Sequence, residues 1–320
     1  MAIMSTIRGF FRRLRMISKA FRLSGNPDVA LYQIVRTEPL VRATSGLAVV
    51  TIVKDEEAYL TEWIEFHRLV GFDHFIIYDN GSTDGTRRVL APYEDTGIAT
   101  VFPWCNFSNV LNHQKAANAH AVANFGNQFR RMAFFDVDEF LFSPTHDTLI
   151  EPLEKRRDQP CVCVPWFNFG PNGHETRPQG LVIENYVERA VFPPLDEQRA
   201  LLLYKTILDP TRVQTAGTHA FHFDESGPLL INENGVRIPQ HLFKDRRYAA
   251  SRDFQLNHYF TRSLEELEEK RRKGRADKKG KVVPDFVDNR LRQYALATCE
   301  DRAIMKHLAG LKQRISAQGL

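Results

Sequence analysis

The chain has 320 residues, 43% of them hydrophobic and 26% charged, ordinary globular material with core enough for one large domain or two small ones. Its net charge of +4 is local. Residues 1–24 hold Arg8, Arg12, Arg13, Arg15, Lys19 and Arg22 and no acid, so the remaining body is slightly acidic and is not a nucleic-acid binder by charge. Cys105, Cys161, Cys163 and Cys299 show neither zinc spacing nor a disulfide framework, which fits reduced thiols in the cytoplasm, and no run approaches the ~18 apolar residues of a membrane span.

In chain order, Phe10, Leu14, Ile17 and Phe21 fall at helical spacing among the arginines. They predict a basic amphipathic helix of the kind that lies on an anionic membrane; a helix packed on the body, or a basic tail, is the alternative. Charges interrupt its apolar residues throughout, unlike a cleaved signal peptide. After a break at Gly25–Asp28, Leu47–Val53 reads as a buried strand ending in Lys54-Asp55-Glu56-Glu57, and Leu60, Trp63, Ile64, Phe66 and Leu69 mark an amphipathic helix stopped by Gly71. A second strand, His74–Asp79, runs into Asn80-Gly81-Ser82-Thr83-Asp84-Gly85-Thr86, where Ser82 or Thr83 can cap a helix starting near Thr86. Ile98–Phe102 is a third strand, residues 112–128 suit a helix, and Arg131–Phe135 form a fourth strand. Alternating strands and helices with short turns predict an α/β layer with a mostly parallel sheet, whose ligands sit beyond the carboxyl ends of the strands.

That fourth strand delivers Asp136-Val137-Asp138-Glu139, two carboxylates at i, i+2 wedged between apolar runs. Residues so spaced on an extended chain point the same way, so Asp136 and Asp138 can face one cation, and oxygen ligands of this type suit Mg²⁺ or Mn²⁺ shared with substrate phosphates. Lys54–Glu57, Asp79–Asp84 and Asp136–Glu139 all fall at the same sheet edge, which points to a metal–nucleotide site. Gln114 and Asn118, one helical turn apart, can face it together.

Val49–Glu56, Tyr78–Thr86 and Phe134–Phe140 resemble the signature blocks of glycosyltransferases with the GT-A fold, in the flavour of the family 2 and family 92 group. Trp166–Gly170 resembles the aromatic-glycine loop after the metal motif, and Asn257–Ser263 a later block of the same group. The resemblance runs from about residue 47 to 275. It implies transfer of a sugar from a nucleotide sugar, commonly a UDP-sugar, to an acceptor hydroxyl, with Mn²⁺ or Mg²⁺ as cofactor. It implies a nucleotide site of Thr51, Val53, Glu56, Asp79, Asn80 and Asp136, where Asn80 replaces the family's acid before Gly81, and the helical spacing adds Gln114 as the sugar or ribose contact. It makes Asp138 the direct metal ligand and places Asp136 on the ribose or a metal-bound water. It also implies a late histidine ligand, for which His219, His222 and His258 compete; on a strand, His219 and His222 would point to opposite faces. For an inverting enzyme Glu175 is the expected general base, with Glu184 and Asp224 as competitors.

Ser263-Leu-Glu-Glu266 reads as a capping box opening a helix, and Leu291 to Leu311 as a closing amphipathic helix. The expected organisation is an N-terminal helix and linker (1–28), a nucleotide-sugar half (29–145), an acceptor half of the same domain (146–285) and a C-terminal helical segment (286–320). The expected protein is a metal-dependent hexosyltransferase acting on a glycan or surface polysaccharide at the inner face of the membrane. A nucleotidyltransferase, or a catalytically silent glycan-binding scaffold on the same fold, is the alternative.

Overall fold

The computed structural model describes residues 32–34, 41–105, 112–193, 202–224, 227–273, 291 and 297–318. The expected N-terminal amphipathic helix lies outside them. The chain alternates β1 (Leu47–Val53), α1 (Glu57–Leu69), β2 (His74–Asp79), α2 (Thr86–Asp95), β3 (Ala99–Pro103), α3 (His113–Phe125) and β4 (Arg131–Phe134). It continues through β5 (Glu139–Phe142), α4 (Ile150–Glu154), β6 (Cys161–Asn168), α5 (Val182–Asn185), β7 (Glu188–Ala190) and β8 (Tyr204–Leu208). Three short strands follow, β9 (Phe221–His222), β10 (Pro228–Ile231) and β11 (Arg237–Ile238), then β12 (Gln255–His258), α6 (Leu264–Lys273), β13 (Thr298–Glu300) and α7 (Leu308–Ala317).

Eight strands form one sheet in the order β3-β2-β1-β4-β8-β6-β12-β5. The first four are mutually parallel, as the βα alternation requires, while β8 runs antiparallel to both β4 and β6, and β5 antiparallel to β12. The sheet is therefore mixed beyond β4, with β12 and β6 the one parallel pair among these strands. The short runs of β1 and β2 are continuously apolar because both faces are covered. Leu47, Val49 and Val53 join a core made with Leu60, Trp63, Ile64 and Phe66 of α1 and Leu311 of α7, while Ala48, Val50 and Ile52 join Ala117, Ala121 and Val122 of α3.

Two local readings need correction. No side chain of Ser82 or Thr83 caps α2; Asp84 Oδ1 accepts from Thr86 N at 2.9 Å, and Ser82 Oγ instead accepts from Asp55 N. The stretch around Thr298–Glu300 is a strand rather than part of a helix running on to Leu311, because it pairs antiparallel with β7 and Asp301 is drawn onto Arg189 at 2.6 Å. The helix proper begins at Leu308. The capping box is present as read, with Glu266 N donating to Ser263 Oγ and Ser263 N to Glu266 Oε2.

His67 illustrates how tightly α1 is fixed over β5. Its Nδ1 donates to Trp63 O at 2.7 Å, which leaves Nε2 to accept from Leu141 N at 3.1 Å, and burial pushes its pKa from 6.5 down to about 3. An unfolded histidine therefore binds a proton that the folded one refuses. The stability held by neutral His67 is complete above pH 6.5 and is lost as the pH falls from 6.5 towards 3, by at most about 1.4 kcal/mol per pH unit. Urea unfolding midpoints at pH 7 and pH 5 should show this loss, and His67→Gln should remove part of it; equal slopes in the two proteins would rule the residue out as its source.

Candidate functional site

The Asp136–Glu139 loop leaves β4 with Phe135 and Val137 anchored in the core, so the intervening carboxylates face the carboxyl edge of the sheet. Glu139 locks the loop by accepting from Asp136 N at 2.9 Å while its own N–H donates to Asp136 O at 3.0 Å. Register then brings distant chain together. His258 of β12 lies opposite Glu139 of β5 and beside Asn168 of β6. Its Nδ1 meets Asn168 Oδ1 at 3.1 Å, and its Nε2 points to Asp138 Oδ2 at 3.7 Å and Glu139 Oε1 at 3.9 Å. If Nδ1 carries the proton, Nε2 presents a lone pair to the carboxylates, the arrangement a metal-binding imidazole needs.

Asp138, Glu139 and His258 each offer one ligand atom, all within 4.8 Å of one another. The chemistry of the donors fits a cation: Glu139 is 0% exposed and its Oε1 is buried with no hydrogen-bond partner among the described residues. Burial pushes the Glu139 carboxyl well above its ordinary range despite the pull of Lys205. Burial would raise Asp138 too, but Lys270, with its ammonium 2.5 Å away, and His258 hold that carboxyl well below the usual range.

Asp136 stands outside this set. Lys205 Nζ of β8 sits 2.8 Å from its Oδ2, and Gln114 Nε2 of α3 donates to its Oδ1 at 3.2 Å, so its carboxylate is held between β8 and α3. Asp138 belongs to the three-residue cluster, whereas Asp136 is paired with Lys205 and Gln114. Asn118 does not join Gln114; its amide donates to Gly217 O at 2.8 Å.

The remaining candidates are distributed around this centre. His219 lies on the Lys205 side, its Nδ1 2.9 Å from Tyr204 O and its ring against Trp166; burial and the Lys205 charge lower it to about 4. His222 is on β9, half-buried near Lys115 and Asp224, and burial lowers it. Neither belongs to the three-ligand set. Glu184 pairs with Lys312 of α7 at 2.7 Å. Glu175 is exposed on the loop before α5, and its carbonyl accepts from Glu265 N, which stitches that loop to the start of α6. Asp224 follows β9.

At the strand ends, the two polar loops are laced together. Asp55 Oδ1 accepts from Thr83 N, Asp79 Oδ1 from Ser82 N, Asp84 Oδ2 from Glu57 N and Thr86 Oγ1 from Glu56 N. Asp79 is committed to this turn, whereas Asn80 Oδ1 and Thr51 Oγ1 are buried without a partner among the described residues. Val53 O accepts from Asn80 N at 2.8 Å.

Sequence reasoning gave no individual role to Lys205, Lys270, Asn168 or Arg262, and read Glu139 only as a group orienting the two aspartates or as a solvated flank. Lys205 had a signal, a lysine inside the apolar run from Leu202 to Leu208. Arg262 has a stronger structural one. It takes φ +45, is 4% exposed, lies 3.3 Å over the Tyr59 ring and 3.9 Å from Glu56 Oε2, and keeps Nε and Nη2 without hydrogen-bond partners among the described residues. A buried, strained arginine with open donors is poised for an anion.

The model of glycosyltransferase family 92 matches residues 47–291. The chain belongs to glycosyltransferase family 92. A family 92 protein of rice (Oryza sativa subsp. japonica) is 26% identical over 248 residues, covering 71% of this chain and 40% of the rice protein. One from Arabidopsis thaliana is 33% identical over 103 residues, 31% of this chain and 17% of its own length. The chain thus spans about two fifths of the rice relative, and less of the other. Among solved structures, Staphylococcus aureus TarS in complex with UDP-GlcNAc is similar at a TM-score of 0.38 and 15% identity, over 84% of this chain and 72% of that one. Glucosyl-3-phosphoglycerate synthase of Mycobacterium tuberculosis, with Mn²⁺ and UDP-glucose, matches 39% of this chain and 44% of its own at a TM-score of 0.27 and 18% identity. Both structural likenesses are too distant to bear on the site. Among the described residues, no helix is long and apolar enough to cross a membrane.

Proposed function

We propose that this family 92 chain transfers a sugar from a nucleotide sugar, a UDP-hexose being the first class to test, to a hydroxyl of a glycan or surface polysaccharide. The observation that carries this reading is the convergence of Asp138, Glu139 and His258 at the carboxyl edge of the sheet, where the loop leaving β4 meets β5 and β12. Asp138, Glu139 Oε1 and His258 Nε2 would hold Mn²⁺ or Mg²⁺; two carboxylates and an imidazole favour Mn²⁺. Bound there, the ion supplies Lewis-acid stabilisation of the departing diphosphate.

The chain's own groups do the rest. Arg262 and Lys270 offer the diphosphate charge-assisted donors. Asp136, oriented by Lys205 and Gln114, is placed for a ribose hydroxyl, and Asn80 Oδ1 and Thr51 Oγ1 for the uracil side. Glu175 is the preferred general base for an inverting reaction, because its loop is tied to α6, which carries Lys270, whereas the Glu184 carboxylate is already spent on Lys312. The division at residues 28, 145 and 285 and the inner-face location, mediated by residues 1–24, complete the proposal.

The test is UDP release from a panel of UDP-sugars with Mn²⁺. Slow hydrolysis of one donor, abolished by chelator, supports the reading and names the sugar. The silent-scaffold alternative predicts nucleotide binding without release, and absence of any metal-dependent nucleotide binding would sink the transferase.

A further inference from the structure

We propose that Tyr59 is a positioning residue, a ring on which Arg262 is held flat so that one edge of its guanidinium is presented to a diphosphate. Arg262 acts here in the diphosphate role given to it above, on which this inference rests. Arg262 directly precedes Ser263, whose Oγ accepts from Glu266 N, while Ser263 N and Oγ both donate to Glu266 Oε2. That capping box opens α6, and Arg262 enters it at φ +45. An arginine has no local preference for this left-handed conformation, which persists only where long-range contacts of the residue hold it. Those contacts are with Tyr59 of α1. The guanidinium carbon lies 3.3 Å from the centre of the Tyr59 ring, a stacking distance. A guanidinium stacked on a ring directs its N–H bonds outward in its own plane. Nη1 is 3.9 Å from Glu56 Oε2, whereas Nε and Nη2, the two nitrogens of one edge, are buried without hydrogen-bond partners among the described residues. Two parallel donors on one edge match two oxygens of one phosphate. Arg262 and Asp138 stabilise each other's charge, which puts this group beside the candidate cation site.

The ring is fixed at its hydroxyl end. Tyr59 OH donates to Glu266 Oε1 and Tyr186 OH to Glu266 Oε2 at 2.9 Å, so with the two Ser263 donors one carboxylate is held from three residues. Burial pushes the Tyr59 hydroxyl up to about 12 against the pull of Arg262, which keeps it a donor throughout the neutral range. Burial opposes the charge of Glu266, yet the Tyr59 and Ser263 hydrogen bonds hold its carboxyl below the usual range. Arg177, on the loop that carries Glu175, lies 4.4 Å from the centre of the same ring and 3.9 Å from Glu266 Oε1. Its side chain is 46% exposed and that of Arg262 4%, so Arg177 can reorient in solvent and Arg262 is the one whose plane the ring sets.

Calorimetric titration of the full chain with UDP in the presence of Mn²⁺ tests this. Tyr59→Leu removes the stacking surface and should weaken UDP about tenfold while Mn²⁺ affinity stays within about threefold, because Asp138, Glu139 and His258 are untouched. Tyr59→Phe keeps the ring and loses only the tie to Glu266, so it should weaken UDP by no more than about threefold. In an Arg262→Met background Tyr59→Leu should cost nothing further, since a residue that acts through Arg262 then has nothing to position. Losses that add, or a parallel loss of Mn²⁺ affinity, would make Tyr59 a packing residue and overturn the inference. Pyrophosphate titrated in place of UDP separates the two levels of the argument. Pyrophosphate binding with the same non-additivity, in a chain that binds no UDP, keeps the role of Tyr59 and removes the nucleotide-sugar reading. UDP binding that Tyr59→Leu leaves intact does the reverse, and a wild type that binds neither probe overturns both.

Discussion

Asp138→Asn is expected to lower UDP release by about 10³-fold and Mn²⁺ affinity by at least about 100-fold, with the fold intact. The substitution keeps the shape of the side chain and removes the charge that His258 and Glu139 would share with the ion. Lys270 is 28% exposed and can return to solvent, so the lost ion pair should cost little stability. Asp136→Asn provides the contrast. Asp136 lies outside the three-ligand set and faces Lys205 and Gln114, so this variant should raise the KM for donor while leaving Mn²⁺ affinity within about threefold. Calorimetric Mn²⁺ titration of both variants decides between a shared carboxylate pair and the Asp138–Glu139–His258 set. Equal losses would mean that Asp136 is itself a ligand and that the three-residue arrangement is wrong.

The difference between those two readings shows what a one-dimensional pattern carries. Strand and helix alternation to residue 134 was legible because β1, β2 and β4 are short apolar runs covered on both faces, and because Gly71, Gly81 and the Asp-rich turns punctuate them. The Asp136–Glu139 loop was legible for the same reason, as charge where core should be. The pairing of β12 with β5 and β6 was not, since nothing local in Asn257-His258 specifies that His258 faces Glu139 across 119 positions of chain. Spacing therefore singled out Asp138 and kept His258 among three histidines, but gave no sign that Glu139 stands within reach of both. Asn168 sat inside the aromatic-glycine block, but its contact with His258 Nδ1 depends on the pairing of β6 with β12. Arg262 sat inside a recognised block, yet its left-handed backbone and open donors are visible only in three dimensions.

Lys205→Met is expected to destabilise the protein by about 3–5 kcal/mol and to lower Tm on the order of 10 °C. Lys205 is 3% exposed, 2.8 Å from Asp136 and 3.5 Å from Glu139, and although burial opposes its charge these two carboxylates raise its pKa. Methionine preserves most of the aliphatic stem, so packing over Trp166 changes little while the buried Glu139 loses its ammonium. A loss under about 1 kcal/mol would show that Lys205 serves as filler in the strand. Adding Glu139→Gln should recover part of the deficit, because the charge left exposed to the core is then gone, and a double-mutant cycle should report a coupling above about 1 kcal/mol. Function is read from the single variant, because Glu139 is itself one of the three candidate ligands: Lys205→Met assayed well below its Tm should raise the KM for donor, since Asp136 has lost the group that aims it. Lys205 would then be the positioning residue through which β8, the strand that turns the parallel half of the sheet into the mixed half, reaches both carboxylates of the loop.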